Sequence, residues 1–240
     1  MTKSNLKTIV VILTYNEGEK LQHLYADFPI ERTYDILIIN DGSTDNTEQF
    51  LKDNNLTHIS HPSNLGVGAG IRTATEYAQK YNYDAIVIMA GNGKMLPSEI
   101  KRLITPLENG SADYVQGSRY LDGGTSPHLP TFRNIAIKLF TMITNLILGF
   151  KGTDITCGFR AYRLSVFDNP QIDIHQGWLG RYEMEYYIHF KVIKSGFRVI
   201  EVPVSMVYPK EGKNYTKIKP FIGWWSMIRP WVYLTLRIKK

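Results

Sequence analysis

Cysteine is almost absent from this sequence, which has Cys157 alone among its 240 residues. No disulfide can therefore form within the chain, and such a composition is typical of proteins from a reducing compartment. The sequence also lacks an uncharged apolar run of the roughly 20 residues that a membrane-spanning helix needs. The N-terminal apolar run, Ile9 to Leu13, is too short for a secretory signal peptide, and no small-residue cleavage site follows it. We therefore expect a globular protein without a disulfide framework or a membrane span, with Cys157 as a small buried residue.

Acidic residues are the scarcer charge. The chain has 22 Asp and Glu against 28 Lys and Arg, which gives a net charge of +6 and a pI of about 9.2. The basic excess is concentrated after residue 209, where Glu211 is the only acid. Such an imbalance favours an anionic partner, for example a phosphate group or a membrane surface.

The segment 210–240 also holds three of the four tryptophans, Trp224, Trp225 and Trp231. Trp and Tyr interleaved with Lys and Arg are typical of a membrane interface. Single-stranded nucleic acid can be bound by a similar mixture, but no second basic and aromatic segment and no nucleic-acid-binding motif accompanies it. We predict a domain over residues 1–209 and a membrane-associating segment over residues 210–240, without a nucleic-acid partner. A tail folded back onto an apolar groove, or a subunit interface, is the alternative, and the oligomeric state is left open.

Short apolar runs alternate with segments of helical length. The runs that predict strands are Thr8 to Leu13, Ile36 to Ile39, Leu56 to Ser60, Ala85 to Met89, Asp113 to Gln116 and Arg198 to Val202. Helices are predicted at Glu17 to Asp27, Asp45 to Asp53, Gly68 to Lys80, Ser98 to Glu108, Phe132 to Phe150 and Gly180 to Ser195. The segment Gly152 to Arg163 suits a turn, a strand or both. This alternation indicates an α/β fold whose central sheet is mostly parallel and flanked by helices.

The helix predicted at residues 132–150 is strongly apolar, which suits either a core helix or a helix lying on a bilayer. The residues that share its apolar face are Phe132, Ile135, Ala136, Leu139, Phe140, Ile143, Leu146 and Ile147. The sequence does not decide between these two interpretations.

Gly66, Gly68 and Gly70 form a cluster that raises the question of a dinucleotide-binding fold. That fingerprint requires G-x-G-x-x-G directly after the first strand, whereas here position 71 is isoleucine and the cluster follows the third strand. Glycines that permit close packing of a helix against the sheet are the better interpretation.

Asp41 directly follows an apolar strand and lies in the turn Asn40 to Ser43. In open α/β sheets, ligands bind at the carboxyl ends of strands. Asp41 is therefore the first residue that we expect to be functional.

Seven motifs of the chain occur together in one order. They are VILTYNEGEKL, INDGSTDNT, HPSNLGVGAGIRTA, IVIMAGNGKMLPSEI, QGSRYLDGG, DITCGFRAYR and GFRVIEVPV. In this order they resemble the family 2 glycosyltransferases over nearly all of residues 8–209. The whole set is similar to the branch that makes dolichyl- and polyprenyl-phosphate mannose or glucose.

The resemblance implies a GT-A fold, a UDP- or GDP-sugar donor, and inverting transfer of a hexose to polyprenyl phosphate. It also implies a peripheral enzyme on the cytoplasmic face of a membrane. A hydroxyl acceptor on a glycan or glycolipid is one alternative. A catalytically silent partner protein that binds nucleotide or lipid is another.

The resemblance further implies roles for individual residues. The base and ribose of the donor would be held by Thr14, Tyr15, Glu17 and Asp41, with Asn40 and Asn92 also in the donor site. The donor diphosphate or the acceptor phosphate would face Arg119 and Arg133, and the active site would be lined by Thr156 and Arg160. The loop PKEGKNYTKIK would close over the diphosphate with Lys210, Lys213 and Lys217.

The metal-binding motif of the family, Asp-x-Asp, often followed two residues later by Gln, is degenerate here. Its positions hold Ala90, Asn92 and Lys94. Mg²⁺ and Mn²⁺ prefer carboxylate oxygens, and Asn92 offers only a neutral carbonyl, so it is at most a weak metal ligand. A lysine can itself act as a point charge on phosphate. We hypothesise metal-independent or weakly metal-dependent transfer, in which Lys94, Arg119 and the lysines of residues 210–217 stabilise the departing diphosphate.

A phosphate acceptor is anionic at neutral pH and needs no strong general base. A hydroxyl acceptor would need one, and Asp154, Glu183 and Glu185 are the candidates. Glu183 and Glu185 are equally well explained as acidic residues at a helix N-terminus. Lys94, Arg119 and Asp154 are the predicted catalytic residues.

Overall fold

A β-sheet of seven strands lies at the centre of the part of the chain that the computed structural model describes, residues 6–210 and 221–239. The strands are β1 (Thr8–Thr14), β2 (Tyr34–Asn40), β3 (His58–Ser60), β4 (Ala85–Ala90), β5 (Tyr114–Ser118), β6 (Arg160–Arg163) and β7 (Val199–Pro203). The helices are α1 (Gly18–Ala26), α2 (Thr47–Asp53), α3 (Val67–Lys80), α4 (Ile100–Glu108), α5 (Thr131–Leu148), α6 (Glu183–Lys194) and α7 (Ile222–Thr235). Each predicted strand and helix is present, with ends that differ by a few residues.

The strand order is β3-β2-β1-β4-β6-β5-β7. β1 pairs in parallel with β2 and β4, and β5 pairs in parallel with β7. β6 runs antiparallel to both of its neighbours, β4 and β5. It comes from the segment that the sequence left as turn or strand. The predicted α/β fold with a mostly parallel central sheet is confirmed.

The sheet separates two apolar cores. Helices α3, α5, α6 and α7 cover one face, and α1, α2 and α4 cover the other. Successive residues of a strand point to opposite faces, so Ile9 and Val11 enter the first core while Val10 and Ile12 enter the second. A strand that is covered on both sides therefore needs the continuous apolar runs that the sequence shows.

Helix α5 is apolar on the side that faces solvent. Its buried residues are Ile137, Thr141, Thr144 and Leu148. Its exposed apolar residues, with 45% to 78% of their surface accessible, are Phe132, Ile135, Leu139, Met142, Ile143 and Leu146. Most of the apolar stripe predicted from the sequence therefore faces outward. Of the two interpretations, an ordinary core helix does not fit.

Helix α7 packs onto the same core. The Trp231 ring is buried, with its centroid 6.0 to 6.2 Å from the rings of Phe140, Tyr186 and Phe190. Trp231 is therefore a core residue. Its place in the C-terminal segment had instead suggested that it belongs to an aromatic surface. Through Trp231, helix α7 packs against the domain that the sequence analysis ends at residue 209.

An ion pair holds α7 at the start of α6. Nη2 of Arg229 lies 2.5 Å from Oε1 of Glu183, and the same nitrogen donates to the Trp178 carbonyl at 2.9 Å. On the outer side of α7, Trp224 and Trp225 each keep 49% of their surface exposed. Within the two described ranges, no helix combines the length and the apolar composition needed to cross a bilayer.

The glycine cluster at the start of α3 permits two close contacts. A Cβ on Gly70 would lie 3.1 Å from Cδ2 of Leu13, which is the helix-to-sheet packing that we predicted. A Cβ on Gly68 would lie only 2.1 Å from the Leu179 carbonyl oxygen. Gly68 is therefore needed for contact with the loop before α6, which the sequence did not indicate.

Candidate active site

Asp41 joins two loops at the carboxyl edge of the sheet. Its Oδ1 accepts a hydrogen bond from the Leu65 backbone N–H at 2.9 Å and lies 2.7 Å from Nδ1 of His61, and its Oδ2 accepts from the Gly66 N–H at 2.8 Å. These partners follow Asp41 by 20 to 25 residues. The Asp41 carboxylate therefore holds the loop after β3 against the turn after β2.

Asn40 is buried, and its amide is engaged within the protein. Nδ2 donates to Glu48 at 2.8 Å and to Ser60 at 3.3 Å, and Oδ1 accepts from the Ser43 N–H at 3.1 Å. Hydrogen bonds to Glu48, of which the one from the Ser60 hydroxyl is the strongest, lower the pKa of its carboxyl to about 2. Asn40 thus braces the turn that contains Asp41.

Thr14, Tyr15 and Glu17 lie beside Asp41 at the end of β1. The Thr14 carbonyl accepts the Asp41 N–H at 2.9 Å. The Thr14 hydroxyl is buried and has no hydrogen-bond partner among the described residues. An unpaired buried hydroxyl is costly. Oε2 of Glu17 lies 2.6 Å from Nζ of Lys20, so a cation balances this carboxylate.

A buried ion pair between Arg119 and Asp154 forms the floor of the site. Nε and Nη2 of Arg119 each donate to one oxygen of Asp154 at 2.6 Å, and the Arg119 backbone N–H also donates to Asp154 at 3.1 Å. Both side chains are almost inaccessible, at 2% and 0% exposure. Because both carboxylate oxygens are bound and shielded, Asp154 is not placed to act as a general base.

Two more hydrogen bonds extend this pair into the site. Nη2 of Arg119 donates to the Thr156 hydroxyl at 2.5 Å, and Nη1 donates to the Tyr208 hydroxyl at 2.7 Å. Since Asp154 neutralises Arg119, the guanidinium adds little net charge to the site. Its geometry instead fixes the positions of Thr156 and Tyr208.

Tyr208 is a candidate residue of the site that the sequence analysis did not name. Nζ of Lys94 lies 5.2 Å from the centroid of its ring, and the Arg133 guanidinium carbon lies 5.6 Å from it. Cations at this distance are attracted to the face of an aromatic ring. Lys94 and Arg133 are therefore both neighbours of the Tyr208 ring, whose hydroxyl is bound by Arg119. In the sequence, the only hint to Tyr208 is that it lies just before the basic loop of residues 210–217.

The backbone holds Lys94 next to Tyr208. The Val207 N–H donates to the Lys94 carbonyl at 2.9 Å, and Met95 forms a β-bridge with Met206. Burial, together with the positive charges of Arg133 and Lys20, lowers the pKa of Lys94 to about 8, against a smaller opposing effect of Glu17. An anion that binds here would therefore meet a desolvated ammonium group, where electrostatic attraction is strong.

Arg160 lies beneath the site, and its described hydrogen bonds go to the backbone. Its guanidinium donates to the carbonyls of Cys157, Glu185 and Ile155 at 2.6 to 2.9 Å. Arg160 therefore shapes the loop that carries Thr156. Burial raises the pKa of the Cys157 thiol to about 12, which agrees with the inert buried residue that we expected.

The three acidic residues considered as bases differ in their partners. Asp154 is bound by Arg119, and Glu183 is bound by Arg229 and by the Arg181 N–H at 2.9 Å. Glu185 is partly exposed, and its carboxylate has neither a hydrogen bond nor an ion pair within residues 6–210 and 221–239. Only Glu185 keeps an available carboxylate.

The donor atoms at the degenerate motif do not fit Mg²⁺ or Mn²⁺. Ala90 has no donor atom, and Oδ1 of Asn92 accepts the Lys94 N–H at 3.2 Å, so it folds back onto its own loop. In the described part of the chain, no three His, Cys, Asp or Glu side chains are grouped as a metal site would need. A divalent cation requires several oxygen ligands, which this motif does not supply.

The structure describes only the first residue of the predicted basic loop, Lys210. Lys210 is exposed and follows Tyr208 by two residues. Lys213 and Lys217 lie outside the described residues. Their predicted role at the diphosphate remains a prediction.

Comparison with known proteins identifies the family of this chain. The glycosyl transferase family 2 model matches residues 9–169. Polyprenol monophosphomannose synthase of Mycolicibacterium smegmatis is 32% identical over 207 residues, which cover 83% of this chain and 77% of that protein. Undecaprenyl-phosphate mannosyltransferase of Micrococcus luteus is 27% identical over 218 residues, which cover 87% of each chain. The protein is a glycosyltransferase, and it belongs to family 2.

The solved structures support the fold. Glucosyl-3-phosphoglycerate synthase from Mycobacterium tuberculosis, in complex with UDP, superposes with a TM-score of 0.68 over 97% of this chain and 79% of its own. At 14% sequence identity this likeness concerns the fold alone. The predicted GT-A fold is confirmed.

The destabilisation caused by removing both Arg119 and Asp154 should be smaller than the sum of the two single destabilisations. Arg119→Met or Asp154→Leu alone leaves a buried charge without its counter-ion, which costs about 3–5 kcal/mol. The double variant buries no charge, so its loss should be smaller than the sum of the two single losses. Urea denaturation of the three variants measures this coupling as a difference in the free energy of unfolding.

The pair Arg198–Asp113 provides a matched control. Its Nη2 to Oδ1 distance is also 2.6 Å, but the Arg198 side chain is 56% exposed. Solvent screens such a pair, so the same cycle at Arg198→Met and Asp113→Leu should show much weaker coupling. Additive losses at Arg119 and Asp154 would contradict the role of this pair as the floor of the site.

Proposed function

We propose that this protein is an inverting glycosyltransferase that moves a hexose from a UDP- or GDP-sugar to polyprenyl phosphate. Family membership supports glycosyl transfer, and the names of the Mycolicibacterium and Micrococcus relatives support the acceptor. One observation carries the proposal. Lys94 and Arg133 both lie within 6 Å of the centre of the Tyr208 ring, and Arg133 belongs to the first turn of α5, whose outer face is apolar. A phosphate on a long apolar chain fits that combination.

The reaction requires one bond to form and one to break. An oxygen of the lipid phosphate attacks C1 of the hexose while the bond from C1 to the β-phosphate oxygen breaks. The new bond forms on the opposite face of C1, so the configuration inverts, and the nucleoside diphosphate leaves with the bonding electrons. The attacking phosphate is already anionic, so no general base is needed.

Lys94 and Arg133 supply the positive charge that stabilises the departing diphosphate. Ala90 has no donor atom and Asn92 offers only a neutral carbonyl, which supports transfer that is independent of metal or depends on it weakly. Arg119 acts indirectly, because Asp154 neutralises it and its hydrogen bonds position Thr156 and Tyr208. Thr14, Tyr15, Glu17 and Asp41 line the end of the sheet where the nucleoside would bind.

The protein would work as a peripheral protein on the cytoplasmic face of a membrane. The exposed apolar side chains of α5 continue onto α7, where Trp224 and Trp225 are half-exposed and Arg237 and Lys239 follow. Apolar and aromatic side chains next to cations suit an anionic bilayer surface. In this orientation the phosphate of an embedded lipid would reach Arg133 from the membrane side.

The direct test is transfer of radiolabelled sugar from a panel of UDP- and GDP-sugars to polyprenyl phosphate, with and without EDTA. We expect labelled lipid with at least one donor, and a yield that EDTA reduces only slightly. Product that is lost in EDTA and restored by Mg²⁺ or Mn²⁺ would contradict the metal-independent mechanism and leave the transfer itself intact. Absence of product with every donor would contradict the proposed acceptor.

The pKa of Lys94 predicts how activity depends on pH. Below its value of about 8, Lys94 is a cation, and above it the neutral amine predominates. The ratio kcat/KM reports ionisations of the free enzyme, so it should fall as the pH rises through this value. Lys94→Arg keeps its charge at high pH, so its profile should not fall there. Lys94→Ala should lose roughly 10²–10³ in kcat below this pH, and the loss relative to wild type should shrink as the pH rises through the pKa of Lys94.

Lys101→Arg, on the remote helix α4, is the control for this experiment and should keep the wild-type profile. If kcat/KM of Lys94→Arg fell at high pH as in the wild type, the fall would belong to a group other than Lys94. Full turnover by Lys94→Ala would remove Lys94 from the mechanism.

Vesicle binding tests the membrane surface. Leu146→Asp places a charge on the apolar face of α5, where the side chain is 78% exposed. We expect binding to vesicles of phosphatidylcholine and phosphatidylglycerol to weaken about tenfold or more, because burial of one large apolar side chain is worth roughly 1.5–3 kcal/mol. The control is Ile30→Asp, because Ile30 is 95% exposed and follows α1, which covers the other face of the sheet. Equal effects of both variants in vesicle co-sedimentation would contradict the proposed surface.

A further inference from the structure

Arg229 of α7 fixes the segment that leads into α6, residues 178–181, which we call the α6 entry segment. Its Nη2 atom lies 2.5 Å from Oε1 of Glu183 and donates to the Trp178 carbonyl at 2.9 Å. The other carboxylate oxygen of Glu183 accepts the Arg181 N–H at 2.9 Å. Because the Glu183 side chain is only 1% exposed, solvent screens this ion pair weakly. One guanidinium therefore holds both ends of the entry segment, directly at Trp178 and through Glu183 at Arg181.

Aromatic contacts add to the same attachment. The Trp178 ring centroid lies 5.6 Å from that of Tyr233 on α7 and 5.8 Å from that of Tyr187 on α6. Edge-to-face rings at these distances attract each other. Nε1 of the Trp178 indole donates to Oε1 of Gln176 at 2.9 Å, which fixes the orientation of the ring. The entry segment is therefore seated against α7 as well as against α6.

The α6 entry segment packs backbone to backbone against the start of α3. The Ala69 N–H donates to the Gly180 carbonyl at 3.2 Å. A Cβ on Gly66 would stand 2.6 Å from the Gly180 carbonyl oxygen, and a Cβ on Gly68 would stand 2.7 Å from the Arg181 carbonyl oxygen. Neither glycine position has room for a side chain, so no flexible group separates the two backbones there. A displacement of the entry segment would therefore be passed directly to the start of α3.

The residues at the start of α3 in turn hold Asp41. The Gly66 N–H donates to Oδ2 of Asp41 at 2.8 Å, and the Leu65 N–H donates to Oδ1 at 2.9 Å. Asp41 lies at the sheet edge where the nucleoside of the donor would bind. Helix α7 thus reaches the nucleoside end of the cleft through the entry segment and residues 65–69.

We infer that Arg229 is a positioning residue for the donor: through the α6 entry segment it sets the place of the Asp41 carboxylate, on which binding of the nucleoside depends. This inference rests on the proposed function, since it requires a nucleoside diphosphate to bind beside Asp41. Helix α7 is then part of the donor site, although it follows residue 209. Lys94 and Arg133 lie outside the series of contacts described above, so loss of Arg229 should weaken binding of the nucleoside and spare binding of the diphosphate group.

Calorimetry on the full-length protein with UDP, GDP and inorganic pyrophosphate tests the inference without requiring turnover. The double variant Arg229→Met/Glu183→Leu removes both charges, so no buried charge is left unpaired. For the nucleotide that the wild type binds more tightly, we expect the Kd to rise about tenfold, while the Kd for pyrophosphate stays unchanged. Arg229→Lys keeps a cation opposite Glu183 and should recover most of the affinity for the nucleotide. Urea denaturation of each variant checks that it is folded under the conditions of the binding measurement.

The same substitutions at a remote ion pair, Arg198→Met/Asp113→Leu, are the matched control. Asp113 and Arg198 directly precede β5 and β7, which is the opposite end of these strands from the site, so this variant should keep the wild-type Kd for all three ligands. If the Arg229 double variant does not fold, the milder Arg229→Gln repeats the test, and it too should raise the Kd of the nucleotide alone.

Two results would overturn the inference while the wild type binds a nucleotide. One is a nucleotide Kd that stays at the wild-type value in the folded Arg229 variants. The other is an equal rise of the Kd for nucleotide and pyrophosphate, which would show a general effect on the cleft. A wild type that bound neither UDP nor GDP would instead contradict the proposed function, and the inference with it, which is a distinguishable result.

Discussion

The buried pair of Arg119 and Asp154 is the interaction on which the site depends. It links the end of β5 to the loop before β6, and through the Tyr208 hydroxyl it reaches the chain that leaves β7. Two buried charges are tolerated only when their remaining hydrogen bonds are satisfied. Thr156 and Tyr208 do this for the guanidinium, while the Glu201 carboxylate accepts the backbone N–H groups of residues 153 and 154 at 2.7 and 2.9 Å. Three separate segments are therefore held in one geometry.

That geometry divides the charges of the site into two kinds. The charge of Arg119 is cancelled by Asp154, so this arginine orders the surrounding side chains. Lys94 and Arg133 both lie within 6 Å of the centre of the Tyr208 ring. The cost is visible in Lys94, whose pKa is lowered to about 8 by burial and by its cationic neighbours. An anionic ligand would relieve this repulsion, which is why the cluster suits a diphosphate better than any neutral ligand.

Helix α5 relates this cluster to the apolar surface. Thr141 and Thr144 face the interior, where small side chains allow close packing, and the large apolar side chains face outward. The periodicity of the sequence reveals an apolar stripe but not the direction in which it points, because core helices and surface-bound helices share the same pattern. The same limit applies to α7, where Trp231 enters the core and its neighbours Trp224 and Trp225 remain half-exposed.

The sequence by itself determined the order of strands and helices, because continuous apolar runs suit strands covered on both faces and turn residues mark where they end. It also determined the loss of the metal motif at Ala90 and Asn92 and the position of Asp41 at a sheet edge, since these are local. Only the tertiary structure decided which charges remain available. Arg119 meets Asp154 across 35 residues and Tyr208 across 89, and pairings over such distances depend on strand order and on the antiparallel insertion of β6. For that reason the contacts of Tyr208 with Arg119, Lys94 and Arg133 emerge only after the chain is folded.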